Sequence, residues 1–560
     1  MRLGVCGFVG MLAVSATLLS GCGLGETRVE QGTREGVLHM GNDTEPQELD
    51  PHVVTGVPEH KILSALFEGL TILNPDTLEP EPAAAESWEV SEDGRVYTFH
   101  LREDARWSNG DPVTAHDFVY AWERILSPAL ASEYAYMLHV LENARAFNEG
   151  EIDDFGEVGA EAIDDYTLQA TLTHPTPYFL SMQVHYTWFP VHQETIEAHG
   201  AMDERGTQWT RPGNHVSNGP FHLTEWRPNR LITVEKSDYY WDADTVQLNA
   251  IKFYPIDSLQ TEERTFRAGG LHVTGDVPLT SVPSYRENRP DLIHIHPWAG
   301  TYFYRFNVNS PPLDDVRVRR ALAMTIDREA IVESITRAGE QPASAFVPPE
   351  IGDYVPEAEL PHDPEAARAL LEEAGYPGGQ GMPTVELLYN TSDNHRILAE
   401  AVQNMWREEL GVNVSLVNQD WAVYLSTMNN LDYQIARSGW IADFLDPINF
   451  LECFVTGGGN NRTGFSDADF DRLIDEAREE PDTTAREALL HEAEAILMEE
   501  APIAPVYYYT RKHLRSPDVR GWNPNPMGYV AYKHVWLEPS GAPLADEDLP
   551  SEDGEDPPAI

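Results

Sequence analysis

A chain of 560 residues with 41% hydrophobic side chains is long enough for several domains and supplies the apolar surface of a sizeable core. Its formal net charge of −54 would repel phosphates over most of the surface, which argues against nucleic acid as a partner. The acids are spread along the whole chain, as in a surface kept hydrated in concentrated salt. A halophilic source is therefore expected rather than one site for a cationic ligand.

In chain order, Met1-Arg2 is followed by an apolar stretch from Leu3 to Leu19 that ends in Leu19-Ser20-Gly21-Cys22. A charged start, a short apolar run and small residues make a secretory signal. Gly and Ser interrupt the run, which is marginal for a spanning helix. The ending resembles the lipobox of bacterial lipoproteins, so residues 1–22 are expected to be a signal and Cys22 the lipidated first residue of an exported body. Beyond residue 22 no segment is long and apolar enough to cross a membrane. Residues 23–36 are polar and contain glycine, a tether between membrane and fold.

The body mixes strand and helix signals. "RVYTFHL" alternates as a strand, and "NGDPVTAHDFVYAWERIL" reads as a turn and a helix capped by Thr114, with Asp117 three residues on. "LITVEK" and "AIKFYPI" are strands, and "DVRVRRALAMTIDREAIVESIT" has helical spacing. "DPEAARALLEEAG" is a helix closed by Gly375. "TVELLYN", "VNVSLVN" and "DYQIARSGW" are further strands. Between the first two of these lies the helix "NHRILAEAVQNMWREELG", where Ile397, Ala401, Met405 and Trp406 can face a sheet. This spacing predicts crossover connections and an α/β domain, closed by "AREALLHEAEAILMEEAPIAPVYYYT". Residues 541–560 are acidic and proline-rich, a disordered tail.

Of the three cysteines, Cys6 lies in the signal and Cys22 would carry lipid. Only Cys453 is left, so no intramolecular disulfide is expected in the mature body. Its apolar context, "LECF", predicts a buried small hydrophobe rather than a nucleophile, which would need an activating base.

One stretch, "ARSGWIADFLDP" at 436–447, asks for a ligand. Arg437, Gly439, Ile441 and Asp443 stand at every second position and on a strand would share a face. A cation, a bare backbone, an apolar residue and an anion in that order fit a ligand with charges of both signs.

Longer motifs lead to the same place. "GPFHLTEWRPNRLITVEKSDYYWD", "FNVNSPPLDDVRVRRALAMTIDR" and "LLYNTSDNHRILAEAVQNMWREELGVNVSLVNQDW", followed by the 436–447 stretch, closely resemble the oligopeptide-binding proteins. Those are the family 5 solute-binding components of peptide ABC importers, and the similarity runs from about 37 to 540. The resemblance implies an α/β fold of the periplasmic-binding-protein type, with two lobes closing on a ligand cleft. Discontinuous domain I would comprise 37–72, 196–297 and 511–540; domain III would be 298–510, and an extra domain II would be 73–195.

A receptor for peptides of any sequence must read an ammonium, a backbone and a carboxylate, and the backbone is best read as a strand added to a sheet edge. By resemblance, Asp443 grips the α-amino group, and the main chain of Gly439 and Ile441 pairs with the peptide. Arg437 and His395 serve its carboxylate end, and Trp421 and Trp440 line side-chain pockets. Glu59 reaches across the cleft from domain I, and Tyr136 or its neighbour Tyr134 adds a domain II contact. The chain also departs from its relatives. Met428 stands where they carry an arginine, which predicts a pocket less welcoming to acidic side chains. Ile441 replaces a cysteine of some relatives, and Arg337 is a substitute for a carboxylate-binding lysine.

The resemblance implies a monomer that binds short peptides, works with separate permease and ATPase subunits, and touches the membrane only through its lipid anchor. It would sit in the periplasmic space or on the outer face of the cytoplasmic membrane. Murein peptides, dipeptides, nickel chelates, haem or oligosaccharides on the same scaffold are the nearest alternatives. A secreted hydrolase is more remote. His294-Ile295-His296 lies in a β-like run without an HExxH partner, and no GxSxG elbow occurs. No catalytic activity, cofactor or metal is expected.

Overall fold

The computed structural model describes residues 26–349, 351–352, 354–541 and 544. The signal expected over 1–22, with its Cys22, lies outside them, as do residues 23–25 and the acidic tail apart from Gly541 and Leu544. Among the described residues no helix is long and apolar enough to cross a membrane.

Three larger sheets organise the chain. The first runs Val37–Gly41, Ala250–Tyr254, Leu231–Lys236, Phe221–Arg227, with a parallel pair at its Val37 edge. The second is an antiparallel sheet of Ala85–Val90, Val96–Leu101, Thr167–Thr171 and Ala160–Asp164. The third runs Gln341–Pro342, Ile503–Leu514, Ile293–Phe306, Ile435–Ile441, Val385–Asn390, Val414–Gln419. Its last three strands are parallel and are linked by the helices Asp393–Leu410 and Trp421–Asn429, the crossover arrangement expected of an α/β unit.

Local chemistry explains several element ends. Thr114 N donates to Asp117 Oδ2 at 2.8 Å, which closes the start of helix Ala115–Leu126. Gly375 takes a positive φ of 96° just beyond helix Pro364–Glu373. Cys453 is buried, its thiol donating to Asn449 O and held well above its ordinary pKa by burial.

Three expectations need correction. Part of the tether is folded: Arg28–Glu35 is a helix with a reciprocal Thr27–Glu30 cap, and its Thr33 hydroxyl donates to Asp518 Oδ2 at 3.0 Å. The sheet-facing ridge of helix Asp393–Leu410 is Leu398, Val402 and Trp406, with Ile397, Ala401 and Met405 half-buried on its flank. The 315–336 segment is not one helix. Val316–Met324 stops, and Asp327 starts a new turn by accepting from Ala330 N at 2.9 Å.

Two long strands, Ile293–Phe306 and Ile503–Leu514, run through the centre as an antiparallel ribbon. Their register holds from Ile293↔Leu514 to Pro297↔Thr510, breaks, and resumes at Thr301↔Tyr508. Within the break Ala299 N donates to Pro526 O at 2.7 Å. Such an irregularity bends and twists a ribbon locally. At the ribbon's Ile293–Leu514 end Val273 bridges both Met40 of the first sheet and Arg515, and on the other side of the break Gly300–Phe306 pair with Ile435–Ile441.

Candidate ligand-binding site

Strand Ile435–Ile441 has neighbours of unequal reach. Ile293–Phe306 pairs with it as far as Ile441, whereas Val385–Asn390 meets it only at Ile435 and Ala436. From Arg437 onward one edge is free of a neighbouring strand. Ala442 N donates to Ala299 O at 2.8 Å, and this bond sets the phase of the antiparallel ladder. Even-numbered residues bond inward, so the main-chain groups of Gly439 and Ile441 face the free edge. The Arg437 carbonyl, also on that edge, accepts the Tyr424 hydroxyl.

A cavity of about 340 Å³ borders this edge and is lined by Asp443, Arg437, Gly439, Trp440, Ile441, Trp421 and His395. The fold thus brings together most of the residues singled out in the sequence. Asp443 stands at one end with its side chain 11% exposed, Oδ1 lying 3.2 Å from His185 Nε2. Asn449 fixes it in place, donating from Nδ2 to Asp443 Oδ2 (3.4 Å) and accepting at Oδ1 from both Asp443 N (3.0 Å) and Trp440 Nε1 (3.1 Å). No lysine or arginine pairs with Asp443 among the described residues.

Arg437 holds the other end. Its Nη2 donates to the Tyr509 hydroxyl at 2.7 Å and its Nη1 to Asn390 Oδ1 at 3.3 Å, while the guanidinium lies 4.8 Å from the Tyr302 ring centre. Its Nε has no partner, and no carboxylate forms an ion pair with it among the described residues. A cation so placed is incompletely compensated and favours an incoming anion. Beside it His395 is held neutral: burial first, then the charges of Arg437 and Lys512, pull its pKa well below the ordinary value.

Gly439 also packs against a neighbour from another strand. A Cβ there would come within 2.5 Å of the Tyr509 hydroxyl, so the missing side chain makes room for the group that holds Arg437. Trp421 opens helix Trp421–Asn429 and stacks on Tyr424 at 5.7 Å. Of the two tyrosines in question, Tyr134 lines the cavity, 6.2 Å from Trp440 and 5.1 Å from His185. Tyr136 instead accepts from Asn460 Nδ2 at 3.2 Å and lines a second cavity with Glu452 and Arg478.

Glu59 does not line the cavity. It is fully buried, accepts from Gln47 N at 2.6 Å and sits beside the Trp421 indole. Burial raises its carboxyl pKa to about 7. Arg337 is also elsewhere, in a left-handed turn with its carbonyl accepting from Arg286 Nη1. His294 and His296 pack on the His513 ring, and no metal-ligating group of three is present among the described residues.

Several lining residues carried no sequence signal: His185, Arg305, Arg462, Tyr509 and Lys512. His185 comes from an aromatic run, "QVHYTWF", whose pattern is that of a core. It stacks on His60 at 6.0 Å, and burial and the His185 charge lower the His60 pKa to about 4. Lys512 is balanced by Glu340 at 3.5 Å and Asp276 at 3.7 Å.

Comparison with known proteins bears on this geometry. The model of the bacterial extracellular solute-binding proteins, family 5 (middle region), matches residues 79–462. The oligopeptide-binding protein OppA of Bacillus subtilis is 38% identical over 552 residues, 95% of this chain and 99% of that protein. The structure of Haemophilus influenzae OppA in complex with the peptide RPPGFSPFR aligns with TM-score 0.85 at 32% identity, covering 90% of this chain and 99% of that one. The Escherichia coli murein tripeptide binding protein MppA aligns with TM-score 0.85 at 34% identity, covering 90% and 98%. Its unliganded open form aligns with only 0.61, covering 90% and 97%. At equal sequence identity the present structure is therefore less similar to the form described as open.

Proposed function

The chain belongs to family 5 of the bacterial extracellular solute-binding proteins, and on that premise we propose that it captures short peptides by their main chain and charged ends and delivers them to an ABC importer. The observation that carries this reading is the free edge of Arg437–Ile441, with, among the described residues, a carboxylate free of lysine and arginine at one end and a cation free of carboxylate at the other. An extended peptide adds as a strand there, its ammonium at Asp443 and its carboxylate toward Arg437 and His395. Aromatic walls from Trp440, Trp421 and Tyr134 give contact area without demanding particular side chains. Members of the family are substrate-binding proteins, and the reading here is likewise ground-state binding rather than catalysis.

The division of the chain goes with it: domain I as 37–72, 196–297 and 511–540, domain II as 73–195, domain III as 298–510. The register break between Pro297 and Thr301 supports a hinge at 297/298 and 510/511. The signal-like N-terminus supports export and anchoring of a monomer through a lipidated Cys22, and the spread of acids supports a salt-rich habitat.

The test is calorimetry with three- to five-residue peptides on the chain from residue 23 onward, preceded by mass spectrometry of whatever co-purifies. Short mixed peptides should bind, N-acetylated ones should be rejected, and Asp443→Ala should weaken binding by about a hundredfold or more. A single non-peptide ligand, or indifference to Asp443→Ala, would show the ligand class to be wrong.

A further inference from the structure

The loss of the family arginine at Met428 predicted a pocket without fixed positive charge, and the fold supplies that charge from elsewhere. Arg305 and Arg462 both line the cavity, 2% and 8% exposed. Neither forms an ion pair among the described residues. Arg305 donates from Nε to Ser438 Oγ (2.9 Å) and from Nη1 to Asn460 O (2.9 Å). Arg462 donates from Nη2 to Thr55 Oγ1 (3.3 Å), and its buried Nε has no partner.

Other buried arginines in this chain are treated differently. Arg124 pairs with Asp50 at 2.6 Å, Arg486 with Asp446 at 2.7 Å and Arg478 with Glu452 at 3.1 Å. Arg328 pairs with no carboxylate among the described residues but is spread over the carbonyls of Pro505, Ile326 and Ala323. In a chain with 92 acids and 38 Lys and Arg, two neighbouring guanidiniums with only neutral partners stand out. Burial and the Arg462 charge together hold the Arg305 pKa below its ordinary value, as two like charges in one desolvated place require.

Their position in the sheet says what would reach them. Arg305 lies opposite Ala436 in the ladder and bonds Ser438, so it occupies the face of the even-numbered residues, opposite to the face of Arg437 and Gly439. A peptide added to the free edge turns alternate side chains to the two faces. Its terminal carboxylate is directed to Arg437, and a side chain on the other face points to Arg305 and Arg462. Thr55, from the N-terminal segment, completes the place from across the cleft.

We propose that Arg305 and Arg462 form a subsite for the carboxylate of an acidic side chain, so that this receptor prefers peptides with Asp or Glu at one position. The proposal rests on the peptide reading above. It reverses the expectation drawn from Met428.

The test is calorimetry at fixed ionic strength with tetra-alanine peptides carrying Glu, Gln or Lys at each position in turn. Each is made with a free and an amidated C-terminus and run on wild type, Arg462→Gln and Arg462→Lys. At one position Glu should bind about tenfold or more tightly than Gln, and Lys more weakly than Gln, with either C-terminus. Arg462→Gln should bring the Glu/Gln ratio close to one, and Arg462→Lys should keep part of it. A wild-type ratio near one at every position, with tetra-alanine bound, would overturn the subsite and leave the peptide reading standing. A preference that vanishes on amidation would assign the pair to the peptide terminus and overturn the side-chain assignment. Failure of every peptide to bind would remove both readings.

Discussion

Glu59 shows how far a residue's neighbours can move its chemistry. Its carboxyl is buried with neutral donors and, among the described residues, no cation beside it, so burial outweighs those donors and raises its pKa from 4.5 to about 7. The folded protein therefore holds this proton more tightly than the unfolded chain does. Stability falls as pH rises from about 4.5, where the unfolded carboxyl ionises, to about 7, and the full penalty, on the order of 3 kcal/mol, applies above that. Glu59→Gln keeps the acceptor for Gln47 N and removes the titration. Thermal melts at pH 5 and pH 8 should show a smaller loss of midpoint for the variant than for wild type; equal losses would refute the assignment. Gly439 makes the complementary point. Its small size was legible in the sequence, but the reason, the Tyr509 hydroxyl in its path, belongs to a strand some seventy residues away.

Among the elements, strand Ile435–Ile441 is left with a free edge because a neighbour stops short: Val385–Asn390 leaves it at Ala436, and the edge it uncovers borders the cavity. Helix Ala115–Leu126 is tied to the N-terminal segment by a charge pair. Arg124, on helix Ala115–Leu126, donates from Nη1 and Nη2 to the two oxygens of Asp50 at 2.9 and 2.6 Å, with side chains 0% and 2% exposed. His52 adds a contact to Nη1 at 3.0 Å. Breaking such a pair leaves an uncompensated buried charge. Arg124→Met should lower unfolding free energy by about 3–5 kcal/mol, read as a shifted urea midpoint. Restoration by the double change Arg124→Met, Asp50→Leu would attribute the loss to the orphaned carboxylate. A single variant as stable as wild type would show the pair to be expendable.

The whole molecule is tied together by contacts between segments far apart in the chain. Arg462 meets Thr55, Asn394 bonds Asp276 and Leu279 N, and Trp421 covers Glu59. These lie around the cavity, so a ligand that fills it stabilises the same arrangement that shields it. A net charge of −54 acts against any compact arrangement, because like charges crowd as the chain folds. Raising sodium chloride from about 0.01 to 0.1 M shortens the screening length from about 30 Å to about 10 Å. The thermal midpoint should climb by several degrees over that range, and a flat or falling response would mean that the acids are already locally balanced.

The sequence alone determined the α/β class, most of the strands and helices, and the family, and it singled out the 436–447 stretch that lines the cavity. The family rests on the resemblance of long motifs, and the rest on local rules: alternation, caps, glycine at helix ends, and an ordered run of charge types along one strand and just past its end. It misplaced the ridge of helix Asp393–Leu410 by one residue, because Ile397 and Leu398 are equally apolar and only the packed sheet distinguishes them. It could not separate Tyr134 from Tyr136, put Glu59 behind Trp421, or collect His185, Arg305 and Arg462 around one cavity. Those residues are up to hundreds of positions apart, and their charges acquire meaning only where water is excluded and a partner is present or missing. Tertiary structure decided which buried groups are balanced from within the chain and which stand ready for a charge brought by the ligand.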